Sequence, residues 1–450
     1  MKERFLIKNT TIVNEGESFI ADVLLADGHI QQIGTIDVEP NYKVIDGTCK
    51  HLLPGIIDAQ VHFRDPGLTH KGDLYTESRA AIAGGVTSFI DMPNTVPNIL
   101  TVESLKEKYE IASKKSLANY AFFLGVNGDN IDAVIKMDTS QFIGVSDDGL
   151  YFTKKGNLLA DNPETMEKLF ANCKSIIAIH SEKEQIVEEN ERIFREKYGE
   201  DIPAKFHPII RNTEGCYEAT KRAINLAKKH NARLHILHLT TEAETHLFQN
   251  DIPLQEKKIT TEVSVHHLWF SDKDYEQLGM LIKWNPAIKT QQDKEGLLAA
   301  LLNDRIDIIT TDHAPHTLEE KQKTYFQSMS GAPMVQHSLN CMLEFYKEDR
   351  ISLEKIVEKM CHNPAILYGM TKRGFIREGY YADLTLVDLN SKWTVEKDNL
   401  LYKCGWSPLE GTTFQTEIKQ TFVNGNLIYD NGVFQENIFG MPIVFNNKQY

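Results

Sequence analysis

Histidine and aspartate stand at the ends of successive apolar runs along this chain. They occur in Asp58-Ala59-Gln60-Val61-His62-Phe63-Arg64-Asp65-Pro66-Gly67, Asp91-Met92-Pro93-Asn94-Thr95, Ser146-Asp147-Asp148-Gly149, His180-Ser181-Glu182, His238 and Thr311-Asp312-His313-Ala314-Pro315-His316. Imidazole nitrogen and carboxylate oxygen bind Zn²⁺ at about 2.0–2.2 Å, and three histidines with two carboxylates suit that ion. A carboxylate shared by two ions about 3.5–4 Å apart makes a hydrolytic centre that polarises a carbonyl and activates water. Taken singly, each segment has an ordinary explanation. Asp147-Asp148-Gly149 reads as a turn, Thr311-Asp312 as a helix cap and Arg64-Asp65 as a surface ion pair. Their joint placement at strand ends argues for chemistry.

Such residues converge only if the intervening elements bring them together. Apolar runs of strand length appear at Leu53–Ile57, Val86–Ile90, Tyr120–Leu124, Phe142–Val145, Ile176–Ile179, Leu234–Leu237, Thr260–Val263 and Ile306–Ile309. Amphipathic, charged stretches such as Glu164–Phe170 and Glu214–Lys229 separate them. This alternation predicts a (β/α)₈ TIM-type barrel, in which all strand ends share the catalytic rim. A G-x-G-x-x-G loop, the mark of a dinucleotide-binding open sheet, is missing. Alternating segments with hairpin signals lie at both ends: Phe5–Lys8, Asp22–Leu25 and His29–Ile33 at the start, Ala382–Val387 and Gln420–Tyr429 near the finish. They predict a small β-sandwich domain made from residues 1–50 and 375–450, around a barrel of residues 51–374.

Composition sets the outer limits. A chain of 450 residues exceeds one compact core, and 41% hydrophobic with 25% charged residues is ordinary for a soluble globular protein. A net charge of −14 argues against nucleic acid or an anionic membrane as partner, and leaves a small-molecule substrate as the expectation. No apolar run approaches a membrane span, and no signal peptide is evident. Six cysteines without C-x-x-C spacing read as reduced thiols of a cytoplasmic protein.

The segments Asp58-x-x-x-His62-x-Arg64-x-Pro66-Gly67, Met92-Pro93-Asn94-Thr95, Ser146-Asp147-Asp148-Gly149, Asp312-His313-Ala314-Pro315-His316 and Gly379-Tyr380-Tyr381-Ala382-Asp383-Leu384 resemble the dihydroorotases of the amidohydrolase superfamily. The resemblance runs from about Phe5 to Tyr429. It implies one or two Zn²⁺ per chain, with His62 and Asp312 on one ion, His180 and His238 on the other, and Asp148 between them. Asp147 competes for the bridging place, and His235 reads as structural. Arg64 and Asn94 are implied to grip the substrate carboxylate, the guanidinium bidentately. His316 is similar to a residue contacting the same end of the substrate, and Asn285 in Trp284-Asn285-Pro286 is implied to position the ring. Asp312 is implied to carry the proton between water and the ring nitrogen.

The chain also departs from that pattern. Gln60 stands where the family has a second histidine, and a neutral amide oxygen is a weaker ligand than imidazole. Where some relatives use a carboxylated lysine as bridge this chain has Ser146, with Lys154 and Lys155 nearby as loop residues. Gly331–His337, after the eighth strand, differs as well. Three readings follow: an active dihydroorotase, a hydantoinase or allantoinase type of cyclic amidohydrolase, and a non-catalytic scaffold partnering aspartate transcarbamoylase. A homodimer is the assembly expected for such barrels.

Overall fold

The computed structural model describes residues 3–150 and 162–446; Lys154 and Lys155 lie outside the described residues. Eight short parallel strands run in chain order around a ring: Ile56–Val61, Val86–Asp91, Asn119–Phe122 continuing through Leu124–Gly125, Val145–Ser146, Ile177–Ile179, Leu234–Ile236, Ile259–Ser264 and Ile308–Thr310. Neighbours pair in register, with Phe89↔Tyr120, Val145↔Leu124, Ile177↔Leu234 and Val263↔Ile309 as examples. A parallel bridge between Val61 and His313 closes the last strand onto the first, with His62 N–H donating to the His313 carbonyl at 2.8 Å. The ring is a closed (β/α)₈ barrel.

Period-two alternation sorts these strands into two cores. Ile90, Met92, Ala121, Phe123, Ala178 and Ile308 form one buried cluster inside the ring. Phe89, Phe122, Ile177, Ile179 and Ile309 belong to the other, which includes the buried faces of the surrounding helices. Helix Thr213–His230 shows how those faces arise: Ala219, Ala223 and Ala227 recur at four-residue spacing and are buried. Asn212 caps its start by accepting from Gly215 N–H, and Asn231 ends it at φ 54°.

The apolar run at Leu53–Ile57 divides between two structures. Leu53 and Pro54 lie in the strand His51–Pro54, which pairs antiparallel with Leu384–Asp388 (Leu53↔Thr385), and the barrel strand starts only at Ile56. Gly55 makes the break, since a Cβ there would stand 2.1 Å from Thr87 Oγ1. Composition could not mark this boundary, because both sheets bury the same residue types. The pairing joins strands from both ends of the chain into one nine-stranded sheet, with Phe5, Ile7, Val23, Leu25, Leu384 and Phe422 in its buried cluster. The last described segment returns to the barrel: Pro442 bridges to Tyr120 and Ile443 joins the interior cluster at the N-terminal end of the strands.

Candidate metal centre and anion-binding corner

At the opposite end of the strands the alternation that buries Ala178, Met92 and Ile308 places His180, Asn94 and Asp312 on the same inner side. Two groups of possible metal ligands form there: His62, Asp148 and Asp312, and Asp148, His180 and His238, each with ligand atoms within 4.8 Å of one another. Asp148 belongs to both. Its Oδ2 lies 3.2 Å from His62 Nε2, and its Oδ1 lies 3.8 Å from His180 Nδ1 and from His238 Nε2. Asp147 instead accepts the backbone N–H of His180 at 3.1 Å. All five side chains of the two groups are buried.

Neighbours aim each imidazole. His62 Nδ1 meets Asn94 Oδ1 at 2.7 Å, so its proton sits on Nδ1 and Nε2 faces the carboxylates. His180 is turned the other way: Nε2 donates to Glu182 at 2.8 Å and Nδ1 faces Asp148. Glu182 in turn accepts from Arg211. His235 stays apart, held between Thr260 Oγ1 (2.9 Å) and Glu262 (3.0 Å) inside the ring. His313 donates from Nε2 to the buried Glu77 at 2.9 Å, while its Nδ1 accepts from the Met334 and Val335 backbone. His238, Asp312 and Arg64 hold φ of 36°, 47° and 67°. Such backbone is uncommon for residues with a Cβ and collects at functional sites.

The electrostatics call for positive charge. Burial pulls the His62 imidazole down, yet Asp148 and Asp312 overcome it and push it up to about 10. His238 is pushed to about 9 against its own burial, chiefly by Asp148. Burial raises Asp312, opposed by His62. Gln60 donates from Nε2 to Asp148 Oδ2 at 3.2 Å, and its buried Oε1 has no hydrogen-bond partner among the described residues. An orphaned amide oxygen beside paired carboxylates and imidazoles fits a cation site, because such an atom is costly unless an ion or water meets it. The donor set therefore suits one divalent ion on each side of Asp148.

Beside these groups a small cleft is lined by Arg64, Asn94, Gly149, Trp284, Asn285, Ala314, Ser330 and Gly331 together with His62, Asp148 and Asp312. Arg64 spends its Nε on the Pro315 carbonyl at 3.2 Å, which fixes the guanidinium, and its Nη2 also meets His316. Asn94 presents its amide nitrogen near Gly149 because its oxygen is held by His62. His316 stands one contact further back, between Arg64 Nη2 and the Ser330 carbonyl, each 3.1 Å from its Nε2. Glu182, Arg211, Glu77 and Trp284 gain places here that their sequence positions do not announce. Only Glu182, two residues after His180, carries a local signal.

Comparison with known proteins places this geometry. The amidohydrolase family model matches residues 51–428. A dihydroorotase of Methanosarcina acetivorans is 31% identical over 417 residues, covering 90% of this chain and 88% of that protein. An allantoinase of Bacillus velezensis is 30% identical, covering 97% and 96%. Among solved structures, an L-hydantoinase (dihydropyrimidinase) from Arthrobacter aurescens superimposes with a TM-score of 0.89 at 26% identity, covering 98% and 99%.

Proposed function

Because this chain belongs to the amidohydrolase family, we propose that it is a zinc-dependent dihydroorotase, interconverting L-dihydroorotate and N-carbamoyl-L-aspartate in pyrimidine synthesis. One observation carries the choice of substrate: Arg64 and the Asn94 amide line the same small cleft as His62, Asp148 and Asp312. A cyclic amide bearing a carboxylate uses both sides of that cleft. Hydantoin and allantoin have no carboxylate for Arg64, which is why the allantoinase relative and the hydantoinase structure stand second. The ligand types favour Zn²⁺, on His62, Asp312 and Asp148 and on His180, His238 and Asp148, with Gln60 as a weak ligand.

Bound zinc would lower the pKa of water toward about 7 and polarise the amide carbonyl. The protein's own groups do the rest. Arg64 and Asn94 hold the carboxylate end and so fix the ring, with Asn285 against it. His62 and Asp148 flank Asp312, which takes a proton from the attacking water. As the C–N bond opens, Asp312 returns that proton to the departing ring nitrogen, leaving a carboxylate and a ureido group. In reverse, Asp312 removes the ureido proton and the ring closes with loss of water.

A cytoplasmic location is supported by six free cysteines, a state that fits a reducing compartment. Among the described residues no helix is long and apolar enough to cross a membrane. A homodimer belongs to the proposal as the commonest assembly, and a complex with aspartate transcarbamoylase belongs to the non-catalytic alternative. Purified protein assayed with L-dihydroorotate, hydantoin and allantoin, with its metal content measured, decides among these readings. Turnover of dihydroorotate is expected. Metal-replete protein inert toward it would refute the reading, and inert protein that co-sediments with the transcarbamoylase would favour the scaffold.

A further inference from the structure

Behind Arg64 lies a polar cluster that the reaction as described leaves unused. Lys71 and His316 are each only 3% exposed, so neither is a solvated surface residue. Lys71 reaches across from the loop that follows Pro66-Gly67. Its Nζ stands 3.0 Å from His316 Nδ1 and 3.0 Å from Glu320 Oε1. On the far side of the ring, Nε2 is 3.1 Å from the Ser330 carbonyl and 3.1 Å from Arg64 Nη2. Glu320 Oε2 lies 3.4 Å from Nδ1.

A neutral imidazole has one N–H and one lone pair, whereas an ammonium or a guanidinium can only donate. With the proton on Nε2, His316 accepts from Lys71 and donates to Ser330, and its N–H turns the Arg64 Nη2 donor away. With the proton on Nδ1, His316 accepts from Arg64 and donates over a long 3.4 Å to Glu320. That second form also sets N–H against the Lys71 ammonium and a lone pair against the Ser330 carbonyl. The first form makes two good contacts against one mismatch, whereas the second makes one short contact against two mismatches, so the first prevails while Lys71 is present. Remove Lys71 and the balance reverses: Nδ1–H turns to Glu320, and the Nε2 lone pair engages Arg64.

We infer that Lys71 is a positioning residue: by donating to Nδ1 it holds the His316 proton on Nε2 and keeps the Arg64 guanidinium free to grip an anionic ligand. The inference rests on reading the cleft as the site of a carboxylate-bearing substrate, and its tautomer half stands without that reading.

The unmodified protein, labelled with ¹⁵N-histidine and assigned through a His316→Phe variant, should show the His316 proton on Nε2; a proton on Nδ1 overturns the inference. Lys71→Met should move it to Nδ1. The same variant should raise the KM for L-dihydroorotate at least about tenfold and leave kcat within about threefold, since a charge-assisted contact to the carboxylate is lost and the reacting centre is untouched. Charge loss alone would also raise KM, so the double variant decides: if Lys71 acts through His316, adding Lys71→Met to His316→Phe has little further effect. Fully additive effects overturn the inference. Should the unmodified protein fail to turn over dihydroorotate, the functional reading falls, while the tautomer spectrum still tests Lys71.

Discussion

An alanine at position 149 should loosen the metal centre without replacing any of its ligands. Gly149 sits at φ +70°, where a residue with a Cβ is disfavoured by roughly 1 kcal/mol. The larger effect is steric. A Cβ at 149 would stand 2.1 Å from Asn94 Nδ2, 2.6 Å from its Cγ and 2.8 Å from its Cβ, so the whole side chain must move rather than its tip. Asn94 would then give up its 2.7 Å hydrogen bond to His62 Nδ1, which fixes the tautomer that turns Nε2 toward Asp148 and Asp312. Losing an orienting bond of this kind costs about 10–100-fold in metal affinity, or roughly 1.4–2.7 kcal/mol. Displacing Asn94 also weakens the carboxylate grip, so KM for dihydroorotate should rise together with the metal dissociation constant. Chelator competition on purified Gly149→Ala, with circular dichroism to verify the fold, reads the metal affinity. An affinity within about threefold of the unmodified protein, fold intact, would refute the coupling of Gly149, Asn94 and His62.

Asp312→Asn should cut turnover by at least about 10²-fold with the fold preserved, because an amide cannot carry the proton from water to the ring nitrogen; near-normal kcat would remove Asp312 from that role. Arg64→Met should raise KM for dihydroorotate by roughly 10–100-fold with a smaller change in kcat, and an unchanged KM would refute the carboxylate clamp. Ile443→Ala, at the end of the barrel opposite the ligand groups and 3% exposed, should lower stability by about 2–4 kcal/mol while metal content and kcat of the folded protein stay normal. Denaturant titration beside an activity assay checks this, and a midpoint matching the unmodified protein would show that the tail contributes little there.

Much of the site is legible in the residues alone, because barrel architecture converts strand ends into neighbours. Once eight strands are recognised, His62, Asp148, His180, His238 and Asp312 must face one rim. Local chemistry supplies the ligand types, and the alternation of apolar residues predicts both cores. Less can be read where two environments bury the same residues. Leu53 and Ile56 are both apolar strand residues, yet one pairs with Leu384–Asp388 and the other opens the barrel.

Orientation lies beyond the reach of the sequence. Asp147 and Asp148 are chemically identical neighbours, and only the backbone turn makes one accept from His180 N–H while the other lies between both ligand groups. His316 carries a family motif, but its distance behind Arg64 and its contact with Lys71, 245 positions away, arise from packing of two loops. Glu182, Glu77 and Arg211 gain their partners the same way. The sequence by itself determined which candidate metal-ligating and anion-gripping groups exist and the ring of strands that gathers them, since both follow from residue type and period. Tertiary structure decided which nitrogen each imidazole presents and which carboxylate is shared, because those depend on hydrogen bonds between residues far apart in the chain.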